Sequence, residues 1–170
     1  MRRLLLIPVL AAAAIPATAA LAGAGDQRVA VGAGVSVVLP AGWHLTHGKG
    51  TPLIEPIPRL SAATFPVHFS KQHCVCDTPR VADFPRDGAY LFVMEYPALG
   101  RRDARRWPAH SVHFHIARSA IAPGDCGPSD GRMFREGGRG YQVQIYLGAA
   151  APASARRQIA FILDSWQVTP

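Results

Sequence analysis

The sequence predicts an α+β domain, a mainly antiparallel sheet of short strands and hairpins with a C-terminal amphipathic helix packed on one face. Three observations point there. Proline and glycine punctuate the chain densely, with 15 and 16 of each in 170 residues, and short β-rich runs lie between them. Two glycine pairs sit between such runs where hairpins turn. The period then changes at the end, where Ile159, Ile162, Leu163 and Trp166 fall at i, i+3, i+4, i+7, the apolar stripe of a helix.

Taken in order, Val29–Val31 and Val35–Leu39 flank Gly32-Ala33-Gly34 as a first hairpin. Pro40-Ala41-Gly42 turns the chain, and Trp43–Thr46 continues it with Trp43 and Leu45 inward. The stretch from Gly48 to Pro58 holds two glycines and three prolines and reads as a loop. Leu60–Phe69 is extended, broken or bent at Pro66, and His73–Gly88 is irregular. Ala89–Tyr96 is apolar on both faces, as a central strand is. His110–Ala117 alternates, with Val112, Phe114 and Ile116 opposite Ser111, His113 and His115. Met133–Glu136 and Gly140–Leu147 flank Gly137-Gly138, with Tyr141, Val143, Ile145 and Leu147 inward against Gln142 and Gln144. Ser154 is placed to cap the final helix.

Residues 1–24 read as a secretory signal peptide and 25–170 as a single domain. Met1-Arg2-Arg3 is a basic start, Leu4–Ala14 is apolar, and Ala17-Thr18-Ala19 and Ala22-Gly23-Ala24 are both A-x-A cleavage patterns. Pro8 and Pro16 argue against a spanning helix, and no other run is long enough to cross a bilayer. The expectation is therefore an exported protein. Its formal charge of +7 becomes +5 once Arg2 and Arg3 leave with the signal segment. Only Lys49 and Lys71 are lysines, so the positive charge is almost all guanidinium, which suits carboxylates and phosphates. Interspersed acids and the lack of an aromatic-basic motif argue against nucleic acid.

The three cysteines, Cys74, Cys76 and Cys126, belong in an oxidising compartment where two of them pair. Side chains two apart on extended backbone run parallel, so the bridge joins Cys74 or Cys76 to Cys126, with Cys76 favoured. Closing a loop of that length stabilises by about 4 kcal/mol in the chain-entropy picture.

Two segments resemble secreted, mostly uncharacterised actinobacterial proteins of the Mog1/PsbP-like class. One is Val35-Ser36-Val37-Val38-Leu39-Pro40-Ala41-Gly42-Trp43, similar to their early strand ending in Pro-x-Gly-Trp. The other is Ile162-Leu163-Asp164-Ser165-Trp166-Gln167-Val168, similar to their closing helix and tail. The resemblance implies an antiparallel sheet backed by helix and a binding or scaffolding role. It carries over no catalytic residues.

Three clusters offer chemistry. Gly124-Asp125-Cys126-Gly127-Pro128 looks like the nucleophile loop of chymotrypsin-like cysteine proteases. A second turn follows it, the chain is short for two barrels, and a disulfide would remove the nucleophile. His73, Cys74, His113 and His115 are the candidate metal ligands: a soft His-Cys pair and two imidazoles on one side of an extended segment. The bland alternative is that they decorate a solvent face. Arg101, Arg102, Arg105 and Arg106 would stack at i, i+4 on a helix as an anion site for a cell-envelope component or small ligand, or else form a solvated connection. Glu55, Glu95 and Glu136 show no spacing that pairs two of them for glycoside hydrolysis. No serine-hydrolase, zincin or phosphate-loop motif occurs. The sequence therefore predicts a non-catalytic binding or scaffolding domain without a resident cofactor. The alternative is a secreted metal-binding protein or metal-dependent enzyme using the histidine and cysteine cluster.

Overall fold

A computed structural model describes residues 25–46, 56–69, 81–97, 103–111, 113–116 and 132–169. Residues 1–24, all three cysteines, His73, Arg101, Arg102 and the Gly124–Pro128 motif lie outside these described residues.

Among the described residues the strands are β1 (Gln27–Gly32), β2 (Val35–Leu39), β3 (His44–Leu45), β4 (Ile57–Ala63), β5 (His68–Phe69), β6 (Val81–Ala82), β7 (Ala89–Glu95), β8 (Arg132–Glu136), β9 (Arg139–Leu147) and β10 (Gln167–Val168). Helix α1 (Ala153–Asp164) precedes the last strand. The order β3-β4-β7-β9-β8 makes the main sheet, β1-β2-β10 a second and β5-β6 a third. Every named pairing is antiparallel. The α+β class therefore holds.

Local chemistry explains the two hairpins. Gly137 and Gly138 connect Glu136 to Arg139 with φ of 58° and 76°, the doubly left-handed turn whose twist matches paired strands. Ala33 and Gly34 do the same between Gly32 and Val35, with φ of 50° and 74°. Each hairpin aligns an alternating pattern, so apolar side chains gather on one face.

β7 lies between β4 and β9, and all seven of its residues are buried. Leu91 and Val93 enter a core with Val37, Leu60, Val143, Ile145 and Trp166. Ala155, Ile159, Ile162 and Leu163 of α1 are buried in that same core. Tyr90, Phe92 and Met94 face a smaller cluster with Phe65 and Ala63. Burying a side chain of this size is worth about 2 kcal/mol, so the double coverage of β7 anchors the sheet.

Five local expectations need correction. Leu45 is 42% exposed, because β3 pairs at only two positions on the sheet edge and, among the described residues, no strand lies beyond it. Ile57 and Pro58 belong to β4 and not to a loop, with an irregular register between Pro58 and Leu60 accommodating the proline. Gln144 is buried, because the outer face of β9 is also covered. Pro152 and not Ser154 is the N-cap of α1, without a side-chain cap bond. Its fixed φ and missing N–H suit a helix start, which leaves Ser154 inside the first turn.

The fifth correction shapes the site. His110–Ala117 is no strand among its described residues. The chain touches the β8 edge once, through a parallel bridge of Ala109 with Arg135. Arg135 N–H donates to Pro108 O at 2.8 Å, and His110 N–H to Arg135 O at 2.9 Å. Ser111 Oγ then accepts the His113 N–H at 3.2 Å, a local turn that competes with strand pairing. Phe114 N–H donates to Asp164 Oδ1 at 2.7 Å, drawing the chain toward the end of α1. Residues 107–111 and 113–116 therefore form a strap across one corner of the sheet.

Candidate functional site

The strap and β8 enclose a cleft of about 380 Å³, within the lower range of small-ligand sites. Its polar lining includes Ser111, His113, His115 and Arg132, and its apolar lining includes Phe114 and Met133. Met133 is 44% exposed, an uncovered apolar side chain beside cationic groups. His113 and His115 are exposed while Ile116 is buried, so the alternation expected of a strand survives in side-chain burial without sheet pairing. Arg132 is half-buried at the start of β8, and among the described residues no hydrogen bond or ion pair engages its guanidinium. No carboxylate appears among the described residues of the lining.

His110 holds the strap in place. Its Nε2–H donates to Leu163 O at 2.8 Å, near the carbonyl end of α1, and its ring packs against Phe114 and Phe134. The donor role follows because a carbonyl only accepts. Nδ1 lies 3.7 Å from a Glu136 carboxylate oxygen.

A second cleft of about 360 Å³ borders the Gly137-Gly138 turn and is lined by Glu95, Tyr96 and Arg139 among others. Here the charged groups are committed to one another. Arg59 Nε donates to Glu95 Oε2, Arg139 Nε donates to Oε1 at 2.7 Å, and Arg139 Nη2 also bonds Oε2. Arg139 Nη1 continues to Ala33 O at 2.8 Å, tying the first hairpin to the main sheet. Burial alone would raise the Glu95 pKa, but hydrogen bonds from Arg139 and Arg59 outweigh it and hold the carboxyl below its ordinary range. The same hydrogen bond raises the Arg139 pKa against its own burial. Burial pushes the Tyr141 hydroxyl up to about 12, with the Arg139 cation pulling the other way. This clamp joins β4, β7 and β9 to the Ala33 turn.

The predicted sites map unevenly onto this frame. His113 and His115 come together in the first cleft, whereas His73 and Cys74 lie outside the described residues. Among the described residues, no three His, Cys, Asp or Glu side chains are grouped to hold a metal ion. Arg105 and Arg106 are exposed, and Arg106 Nε sits 3.9 Å from Asp103 Oδ1 in a solvated pair; Arg101 and Arg102 lie outside the described residues. The expected pairing of Cys76 with Cys126 likewise falls outside them. Sequence reasoning missed Ser111, Arg132 and Met133, which no motif marks. Among the described residues, no helix is long and apolar enough to cross a membrane.

Compared with known proteins, the chain matches no protein-family model, no curated protein and no solved structure.

Proposed function

We propose that this chain is an exported, non-catalytic binding domain whose ligand site is the cleft between the strap and β8. The observation that carries this reading is the half-buried Arg132 opening with His113 and His115 onto a partly apolar cleft, with no ion pair among the described residues. Burying a cation without a partner is costly, so an unengaged guanidinium at a concave site favours a ligand that completes it. The ligand is a small anionic molecule or an anionic cell-envelope component. Residues 1–24 direct export, and Cys76 pairs with Cys126 in the oxidising compartment. The apolar side of α1 closes one face of the main sheet.

The Mog1/PsbP-like resemblance belongs to this reading. Its two segments meet in space: β10 pairs with β2 through Gln167 and Ser36, and Val38 N–H donates to Ser165 Oγ at 2.7 Å. Native mass spectrometry of the protein recovered from the secreted fraction tests the proposal. The expected species starts near Gly25, is two protons light for one disulfide, and carries a small anionic adduct that Arg132→Gln loses. An uncleaved, reduced chain found only inside cells would overturn export.

A second reading rests on His113 and His115 sharing one cleft. There a transition metal is the ligand, carried or used by the histidines with ligands from His73 and Cys74. A stoichiometric metal surviving desalting would place this reading first.

A further inference from the structure

We infer that the outer edge of β8 takes an extended acidic peptide as an added strand, seated against the strap cleft. The inference rests on that cleft being the ligand site and names the class of ligand it holds. The strap itself shows how this edge is used. Arg135 turns its N–H and C=O away from β9, where Pro108 O accepts the first at 2.8 Å and the His110 N–H donates to the second at 2.9 Å. Backbone groups alternate sides along a strand, so those of Met133, two residues earlier, point to the same edge. Among the described residues no hydrogen bond reaches them. The strap leaves the edge before that point, because Trp107 N–H turns back to Ala104 O at 3.0 Å. Arg132, Met133 and Phe134 all line the cleft, so the unpaired groups border it. An unpaired N–H and C=O on a strand edge are the groups that β-strand addition uses.

Side-chain alternation says which peptide fits. A residue paired opposite Met133 puts its side chain on the Met133 face, where that 44% exposed side chain offers apolar contact. The peptide residues on either side put theirs on the face of Arg132 and Phe134. There the Arg132 guanidinium has no ion pair among the described residues. An apolar residue flanked by acidic ones therefore matches the edge in backbone, apolar contact and charge together. A second copy of this chain fits worse. It would bring more arginine to an edge that already carries Arg132 and Arg135, in a protein of formal charge +7.

The test uses the peptide acetyl-Thr-Glu-Val-Glu-Thr-amide, followed by amide chemical shifts and hydrogen exchange of the protein. The expected result is saturable binding that slows exchange of the Met133 amide by about tenfold or more. Arg132→Gln should weaken binding by about tenfold, and Arg157→Gln on the exposed side of α1 should change nothing. Two N-methylated peptides test the strand pairing. Methylating the central valine nitrogen removes the N–H that antiparallel addition uses. Methylating the next glutamate nitrogen removes the one that parallel addition uses, the place His110 holds in the strap. One of the two should lose about tenfold in affinity and the other keep it, because alternate amides face away from the edge. Equal effects from both methylations would overturn strand addition. A comparison with n-hexanesulfonate, an apolar anion without a peptide backbone, separates this failure from that of the site. If the sulfonate shifts cleft amides while the peptide binds no better than its methylated forms, strand addition falls and the cleft remains an anion site. If neither shifts cleft amides, both fall. A Met133 amide already protected before peptide is added would also overturn the inference. Protection that rises with protein concentration would assign the edge to a second copy.

Discussion

At Glu95 two guanidiniums close on one buried carboxylate, whereas at Arg132 a half-buried guanidinium opens on a cleft with no carboxylate among its described lining residues. Both arginine corners belong to the main sheet, on β4 and β9 in one case and β8 in the other. The first corner joins three strands and the Ala33 turn, so its charges hold the fold together. The second makes no such connection among the described residues, so its charge is available to a ligand. The same residue type therefore serves cohesion where a carboxylate is brought to it and, on the proposed reading, recognition where none is.

That contrast breaks first at Glu95. Glu95→Gln leaves Arg59 and Arg139, only 17% and 22% exposed, facing each other without an anion. Urea unfolding should show a loss of about 3 kcal/mol. A loss below about 1 kcal/mol would mean that the clamp is solvated and the contrast false.

Acid sharpens the same corner. The Glu95 pKa is lowered in the folded chain, so its contribution is present above the unfolded value near about pH 4.3. That contribution is lost as pH falls through the folded value. Thermal melts between about pH 5 and pH 2 should lose stability more steeply for the wild type than for Glu95→Gln. Parallel curves would remove the clamp from the acid response.

Arg139→Lys keeps the charge but loses the planar fork that reaches both Glu95 oxygens and Ala33 O. It should cost about 1.5 kcal/mol by urea unfolding. Asp164→Ala removes the acceptor of the Phe114 N–H and loosens the strap, costing about 1 kcal/mol. Its amide shifts should change along residues 110–116 more than in β7. At the bottom of the scale, His113→Gln and His115→Gln should each leave the melting temperature within about 2 °C, as exposed side chains without internal bonds do.

The sequence made the elements legible wherever one strong local signal decided the outcome. Gly137-Gly138 can take the left-handed turn that other residues resist, and it flanks two alternating runs. The apolar character of Ala89–Glu95 on both faces foretold its central place and double burial. The stripe Ile159, Ile162, Leu163 marked residues that are all buried. Local signals failed where a distant partner decided. The alternation of His110–Ala117 is genuine, yet Asp164, 50 residues on, takes the Phe114 N–H and lifts the segment off the sheet. Leu45 follows an inward pattern on a strand too short and too far out to be covered. The Glu95 clamp joins residues 36 and 44 apart, a separation that no spacing rule encodes. Half of the candidate site was legible, as the His113 and His115 pair; Arg132 was not, because its role depends on the strap folding over β8.

The most direct measurement sets Arg132→Gln against Arg139→Gln by urea unfolding of the protein at neutral pH. The account predicts that Arg139→Gln loses about 2–3 kcal/mol, because Glu95 keeps only one of its two cations. It predicts that Arg132→Gln stays within about 0.5 kcal/mol of the wild type. An equal loss at Arg132 would show that its guanidinium holds the fold and would contradict the assignment of that cleft to a ligand.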